Sequence, residues 1–179
     1  MKISYIVFTA LFFATTTNNF ASAKDILKNA GSLKSENKAY IRADGLACYF
    51  CAYGLERFFR KSGKVAAFEM NMKEGIVEIH FIKGRLLLTQ AELHKIVYDA
   101  GYTPRSTTYE LVGQLKKSDG RYFFYINDTN QSFPIKTTAA LTAHTEKMIR
   151  ITTKADKRDG GAMLLEPLKF ELLGENAVP

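Results

Sequence analysis

Between residues 39 and 111, segments with an apolar residue at every second position alternate with segments that have one at every third or fourth position. A spacing of two is typical of half-buried strands, and a spacing of three and four is typical of amphipathic helices. The predicted order of elements is strand, helix, strand, strand, helix, strand. These elements cover residues 39–44, 49–61, 65–70, 76–82, 90–100 and 103–111.

The second of these helices has the clearest predicted start. Thr89 precedes Glu92 by three residues, which is the spacing of a capping box, and Leu88 with Leu93 fits the accompanying hydrophobic staple. The whole order of elements is that of a split β-α-β unit, in which one antiparallel four-stranded sheet carries both helices on a single face. The sequence therefore predicts a ferredoxin-like domain over residues 39–110.

Beyond Leu111 the pattern consists almost entirely of strands. The Ser-Asp-Gly sequence at 118–120 predicts a hairpin turn, and residues 137–146 fit either a short helix or a loop. The strand candidates cover residues 112–117, 121–127, 131–135, 148–154 and 163–173. Five strands with an irregular element before the fourth are typical of a small closed barrel of the OB type. The predicted fold class is thus α+β, with the ferredoxin-like βαββαβ domain followed by an OB-like β-barrel over residues 111–174.

The first 23 residues have the composition of an export signal. Lys2 supplies a positive charge, residues 3–13 are mostly apolar, and Ala21-Ser22-Ala23 matches a small-x-small cleavage site. This apolar stretch is shorter than the roughly 20 residues that a membrane-spanning helix needs. We therefore expect cleavage after Ala23 and a periplasmic or secreted protein, in which the polar residues 24–38 form a linker.

The chain is basic, with 25 lysine and arginine residues against 18 aspartate and glutamate residues and a formal net charge of +7. A positive net charge favours binding to an acidic partner, and such a partner is often nucleic acid. An exported protein rarely meets nucleic acid, and the lysines here are scattered along the chain. We therefore expect no nucleic-acid partner, and instead peripheral contact with an anionic membrane or with an acidic protein.

The two cysteines, Cys48 and Cys51, are spaced C-x-x-C, which excludes a disulfide-dense scaffold and a four-cysteine zinc site built from one copy. The pair lies where the first predicted strand joins the first predicted helix. Free backbone N–H groups and the positive end of a helix dipole favour thiolates there. Two thiolates suit a soft ion, Cu(I) foremost, and suit zinc only with further ligands. A redox pair or an oxidised structural pair are the alternatives.

Residues 39–110 resemble the heavy-metal-associated domain family, which is found in copper chaperones, in metal-transporting P-type ATPases and in the periplasmic mercury-binding protein. The family loop is Gly-Met-x-Cys-x-x-Cys, and here it reads Gly45-Leu46-Ala47-Cys48-Tyr49-Phe50-Cys51. The resemblance implies that Cys48 and Cys51 bind Cu(I), Hg(II) or a related soft cation such as zinc or cadmium. It also implies that Gly45, Leu46 and Tyr102 lie beside the metal, and that a metal transporter or envelope metal-handling protein is the partner.

The loop departs from the family pattern at two points. Leu46 stands where the family has methionine, and the bulky aromatic residues Tyr49 and Phe50 lie between the cysteines. The leucine is a suitable substitute if that side chain packs beneath the loop. The two aromatic residues are compatible with shielding of the metal, with docking of a partner, or with a loss of metal exchange.

The remaining reactive residues fit no catalytic pattern. The sequence contains no Ser/His/Asp order, paired carboxylate motif or metalloprotease helix. His80 is predicted on the solvent face of its strand, and His94 beside the apolar stripe of its helix, so both are expected at the surface. The sequence therefore predicts a metal-binding and trafficking protein and not an enzyme.

Overall fold

The computed structural model describes residues 34–46, 49–157 and 163–174, and of Tyr49 and Cys51 it describes the backbone alone. The predicted export signal over 1–23, most of the predicted linker, and Cys48 lie outside these residues. The first strand begins at Lys34, so residues 34–38 of the predicted linker belong to a strand.

Eight strands and three helices follow one another along the described residues. They are β1 (Lys34–Asp44), α1 (Tyr49–Lys61), β2 (Val65–Asn71), β3 (Ile76–Ile82), α2 (Gln90–Asp99), β4 (Thr103–Ser118), β5 (Arg121–Ile126), β6 (Ser132–Pro134), α3 (Ala139–Thr142), β7 (Met148–Lys157) and β8 (Met163–Leu172). The predicted bounds of α1 are confirmed. The capping box of α2 is confirmed as well, because Thr89 Oγ1 accepts the Glu92 N–H while the Glu92 carboxylate accepts the Thr89 N–H.

All eight strands belong to one sheet, in which the order is β2-β3-β1-β4-β5-β6 and β7 pairs with both β4 and β8. The strand pairs are antiparallel. The long strand β4 is shared by the two halves of the chain. Its residues 103–110 pair with β1, residues 108–114 with β7, and residues 113–118 with β5.

The predicted fold class, a ferredoxin-like domain followed by a separate OB-like barrel, is wrong. The protein is mostly one eight-stranded antiparallel sheet with three short helices, and β4 runs through the predicted boundary between residues 110 and 111. Alternate residues of β4 are buried from Thr107 to Leu115, so the same face of the strand is covered on both sides of that boundary. Because β4 supplies hydrogen bonds to both halves of the chain, the two halves share one sheet.

The hydrophobic core is continuous along this shared strand. On the helix side of the sheet, Leu55 and Phe59 of α1 are fully buried, and the Phe59 ring lies 5.8 Å from that of Phe68 on β2. The same cluster of buried side chains continues through Leu111 and Leu115 into the second half of the chain. Burial of this apolar surface is the main stabilising contribution to the fold.

A buried polar cluster also joins the two halves. The Asn37 amide nitrogen donates to Ser35 Oγ and to Asp128 Oδ1, each at 2.9 Å, while the Asn37 amide oxygen accepts the Val112 N–H at 2.8 Å. Ser35 Oγ donates to Asp128 Oδ2 at 2.5 Å. Because Asp128 follows β5, this cluster ties the start of β1 to the middle of β4 and to the turn after β5.

Candidate metal-binding site

The chain forms a turn at the end of β1. Gly45, the first residue after β1, has φ +94°, a left-handed conformation that glycine adopts without steric cost. The next side chain, Leu46, is buried in the core. The strand end of the loop is therefore fixed by one turn and one buried apolar side chain.

The two cysteines lie at the start of α1, which begins at Tyr49. Cys51 is the third residue of the helix and belongs to its first turn, although its side chain lies outside the described residues, as does Cys48 altogether. Backbone N–H groups in a first turn have no acceptor within the helix. The first turn of α1 has no acidic residue, so no carboxylate offsets the positive end of its dipole.

Tyr102, which follows α2, lies against this loop. A Cβ atom on Gly45 would be 3.4 Å from Tyr102 Cδ1, which is ordinary van der Waals contact. The half-buried Tyr102 ring also packs against the core, and its N–H donates to the Val97 carbonyl at 3.1 Å. Gly45, Leu46 and Tyr102 thus meet at the end of β1, and their place beside a metal stays a prediction.

An ion pair that the sequence did not indicate stabilises the same end of the sheet. Arg105 Nε donates to Asp44 Oδ2 at 2.7 Å, joining the last residue of β1 to the beginning of β4. This hydrogen bond raises the pKa of the Arg105 guanidinium. The Ala43 N–H donates to the Gly75 carbonyl at 2.9 Å, so the end of β1 is held from both neighbouring strands.

Of the two aromatic residues between the cysteines, Phe50 has a described side chain, and this side chain is exposed to solvent. Phe50 is 89% exposed, and Tyr53, one turn further along α1, is 64% exposed. A phenylalanine so fully exposed contributes nothing to the core and leaves its apolar surface in water. The structure therefore gives Phe50 no packing role within the described residues.

His80 is not the surface residue that the strand pattern predicts. Its side chain is 3% exposed, and its Nε2 lies 2.9 Å from Glu78 Oε1 and 3.6 Å from Glu69 Oε1. Neither ring nitrogen makes a hydrogen bond of good geometry within the described residues. Long charged side chains of the neighbouring strands cover this face of β3 and bury His80. The alternation of apolar and polar residues in β3 does not predict this burial.

The buried position of His80 predicts a loss of stability in acid. Burial, reinforced by Lys34 and Lys38 of β1 and opposed by Glu78 and Glu69, lowers the pKa of the imidazole from its ordinary 6.5. The folded chain therefore binds this proton less readily than the unfolded chain. The contribution of the neutral His80 imidazole to the free energy of unfolding is complete above the pKa that this group has in the unfolded chain. It is lost as the pH falls through the lower pKa of the folded chain.

Thermal unfolding at about pH 5 and at about pH 7.5 measures this contribution. We expect the wild-type midpoint to fall between the two conditions by more than that of His80→Gln, which lacks the titrating group. An equal fall in both proteins would show that His80 does not contribute.

His94 is also engaged in the fold. Its Nε2 lies 2.8 Å from Thr107 Oγ1, so it connects α2 to the buried face of β4. Among the described residues, no group of three or more His, Cys, Asp or Glu side chains is arranged to hold a metal ion. The thiols of Cys48 and Cys51 are not among those residues. No helix in the described ranges is long and apolar enough to cross a membrane.

Comparisons with known proteins identify no family. No family model matches the chain, and no curated protein matches it. One similar solved structure is described as "Crosstalk between Cu(I) and Zn(II) homeostasis"; it covers 38% of this chain and 94% of its own chain, at 24% identity and a TM-score of 0.34. A likeness at that TM-score says nothing about the function of this chain.

Proposed function

We propose that this chain binds a soft metal ion, Cu(I) foremost, through the thiolates of Cys48 and Cys51, and passes it to an envelope metal-handling partner. The observation that carries the proposal is the position of the C-x-x-C sequence, which is separated from β1 by three residues and extends into the first turn of α1. Two sulfur ligands three residues apart are enough for Cu(I), which prefers soft ligands and accepts low coordination numbers.

The electrostatics of the helix start favour ionised thiols. Unpaired N–H groups and the positive dipole end stabilise a thiolate at this position, and no acidic residue of the first turn opposes them. A bound cation strengthens the preference further, because metal binding requires the deprotonated sulfur. The ordinary thiol pKa of about 8.5 is then no obstacle near neutral pH.

The surroundings of the loop support release as well as capture. Leu46 and Tyr102 pack into the core beside the end of β1, while Phe50, next to Cys51 in the sequence, is exposed to solvent. Transfer would proceed by exchange of thiolate ligands, with each sulfur of this chain replaced in turn by a sulfur of the partner. No bond to carbon is made or broken in that exchange.

Titration of the reduced chain from Lys24 onward with Cu(I), against a chromophoric Cu(I) chelator and without oxygen, tests the proposal. We expect one Cu(I) to be held per chain, and Cys48→Ser or Cys51→Ser to abolish this binding. Ala52→Ser is the matched control, because it adds a hydroxyl in the same helical turn and leaves both thiols in place. It should bind as the wild type does.

Loss of binding must be separated from loss of folding and from redox chemistry. Circular dichroism of each serine variant should match the wild type, since neither substitution removes a described core contact. A chain that folds but holds no Cu(I), and whose thiol pair has a strongly oxidising reduction potential, would instead be a thiol-disulfide protein. Binding retained in both serine variants would place the ligands elsewhere.

A further inference from the structure

The helix α1 has a second stripe of large side chains on the side away from the core. Its inward stripe, with Leu55 and Phe59, is fully buried against the sheet. The outward stripe follows the spacing i, i+3, i+4, i+7, i+8, i+11 along one face of a helix. Its members are Phe50, Tyr53, Gly54, Arg57, Phe58 and Lys61.

This outward stripe combines aromatic rings with cations. Phe50 and Tyr53 are largely exposed, Phe58 is partly so, and Arg57 and Lys61 are exposed on the same face. The Lys61 ammonium lies 5.1 Å from the centre of the Phe58 ring, so its aliphatic stem covers apolar surface while its charge stays in solvent. No acidic side chain belongs to the stripe; Glu56, the acid of α1, lies beside it and pairs with Arg60.

The chemistry of the stripe fits an anionic lipid surface. Aromatic side chains insert at the boundary between headgroups and acyl chains, and lysine and arginine beside them bind lipid phosphates. Gly54 adds no side chain between Tyr53 and Phe58, and nothing lies within 4 Å of the position of its Cβ. The stripe is therefore a flat surface bordered by aromatic rings, and its polar groups are the Tyr53 hydroxyl and the two cations.

We propose that α1 docks the protein on an anionic phospholipid surface through Phe50, Tyr53, Arg57, Phe58 and Lys61. Docking would be peripheral and reversible, since three rings and two cations give far less apolar burial than a spanning helix. The start of α1, with its C-x-x-C loop, would then lie close to the membrane surface. The inference does not depend on metal binding, and the metal-free chain tests it.

Sedimentation with lipid vesicles measures the docking. The chain from Lys24 onward, which contains every described residue, should bind vesicles of phosphatidylcholine containing phosphatidylglycerol and not vesicles of phosphatidylcholine alone. Arg57→Gln/Lys61→Gln should weaken binding about 25-fold, at roughly fivefold for each cation near the surface. Phe50→Ala should weaken binding about tenfold through lost apolar insertion.

Two matched controls test whether the effect belongs to this stripe. Leu168→Ala removes an apolar side chain from β8 that is 53% exposed, and Lys154→Gln/Lys169→Gln removes two exposed cations from β7 and β8. Both should bind anionic vesicles as the wild type does.

Three results would overturn the proposal: no binding to anionic vesicles, equal binding to neutral vesicles, or controls that fall as far as the stripe variants. An absence of binding to anionic vesicles would indicate that the stripe binds a protein partner instead. Each result leaves the Cu(I) titration unaffected, so failure here is distinguishable from failure of the proposed function.

Discussion

Replacing Asn37 with alanine is expected to lower the free energy of unfolding by about 3 kcal/mol. The Asn37 side chain is 2% exposed and uses both its amide nitrogen and its amide oxygen. Without it, the Val112 N–H and one Asp128 carboxylate oxygen lose their partners in a buried setting. An unsatisfied buried polar group costs more than the hydrogen bond itself contributed, because water does not replace the partner.

Urea unfolding of wild type and variant measures the effect, and an unchanged slope with a lower midpoint is expected. Glu36→Ala is the matched control: Glu36 precedes Asn37, is exposed, and reaches Arg150 only at 3.4 Å, so it should change stability by less than about 0.5 kcal/mol. The double variant Asn37→Ala/Asp128→Ala should cost less than the sum of the two single changes, since both act on one cluster. An unchanged Asn37→Ala midpoint, or additive costs, would contradict the role assigned to this cluster.

Replacing Gly113 with alanine is expected to lower the free energy of unfolding by about 3 kcal/mol. A Cβ at this position would collide with the Tyr125 carbonyl oxygen across the β4–β5 pair and would lie 3.0 Å from Phe124 Cε1. Both obstacles belong to a hydrogen-bonded strand and its buried ring, so relief requires the two backbones to separate. The expected result is again a lower urea midpoint.

Gly54→Ala provides a control for which the free energy of unfolding should change in the opposite direction. Gly54 lies within α1, and nothing is within 4 Å of the position of its Cβ. Because alanine is a better helix former, this change should raise stability by about 1 kcal/mol. If Gly113→Ala were as stable as the wild type, β4 and β5 would not approach each other as closely as the structure has them.

The elements whose start and end depend on nearby residues were predictable from the sequence. Thr89 and Glu92 mark the beginning of α2 because the capping box is local, and the apolar stripe of Leu55 and Phe59 places α1 for the same reason. The hairpin between β4 and β5 follows from the turn at 118–120, where Asp119 and Gly120 adopt positive φ values of 49° and 76°.

The features that depend on distant residues were not predictable. Gly113 lies within a predicted strand, and the sequence does not reveal that it marks the close approach of β4 and β5. Asn37 lies in a polar stretch typical of a linker, and only its contacts with Val112 and Asp128, far along the chain, explain its burial. His80 alternates as a solvent-facing residue, but charged side chains from β1 and β2 cover it.

The residues of the candidate site likewise include some that could be identified from the sequence and some that depend on the fold. The C-x-x-C spacing, Gly45 and Leu46 are adjacent in sequence and could be identified from it. Tyr102 was predicted only through the family resemblance. Its position next to Gly45 depends on the packing of α2 and β4 against the end of β1. The Asp44–Arg105 pair and the outward stripe of α1 became visible only with the fold, because exposure of an aromatic residue is not encoded in its local spacing.

X-ray absorption at the copper edge, on the reduced chain loaded with Cu(I), identifies the atoms that bind the ion. We expect a first coordination shell made of sulfur alone, supplied by Cys48 and Cys51, and the loss of that shell in Cys51→Ser. A shell of nitrogen or oxygen ligands, or the same sulfur shell after Cys51→Ser, would contradict this expectation.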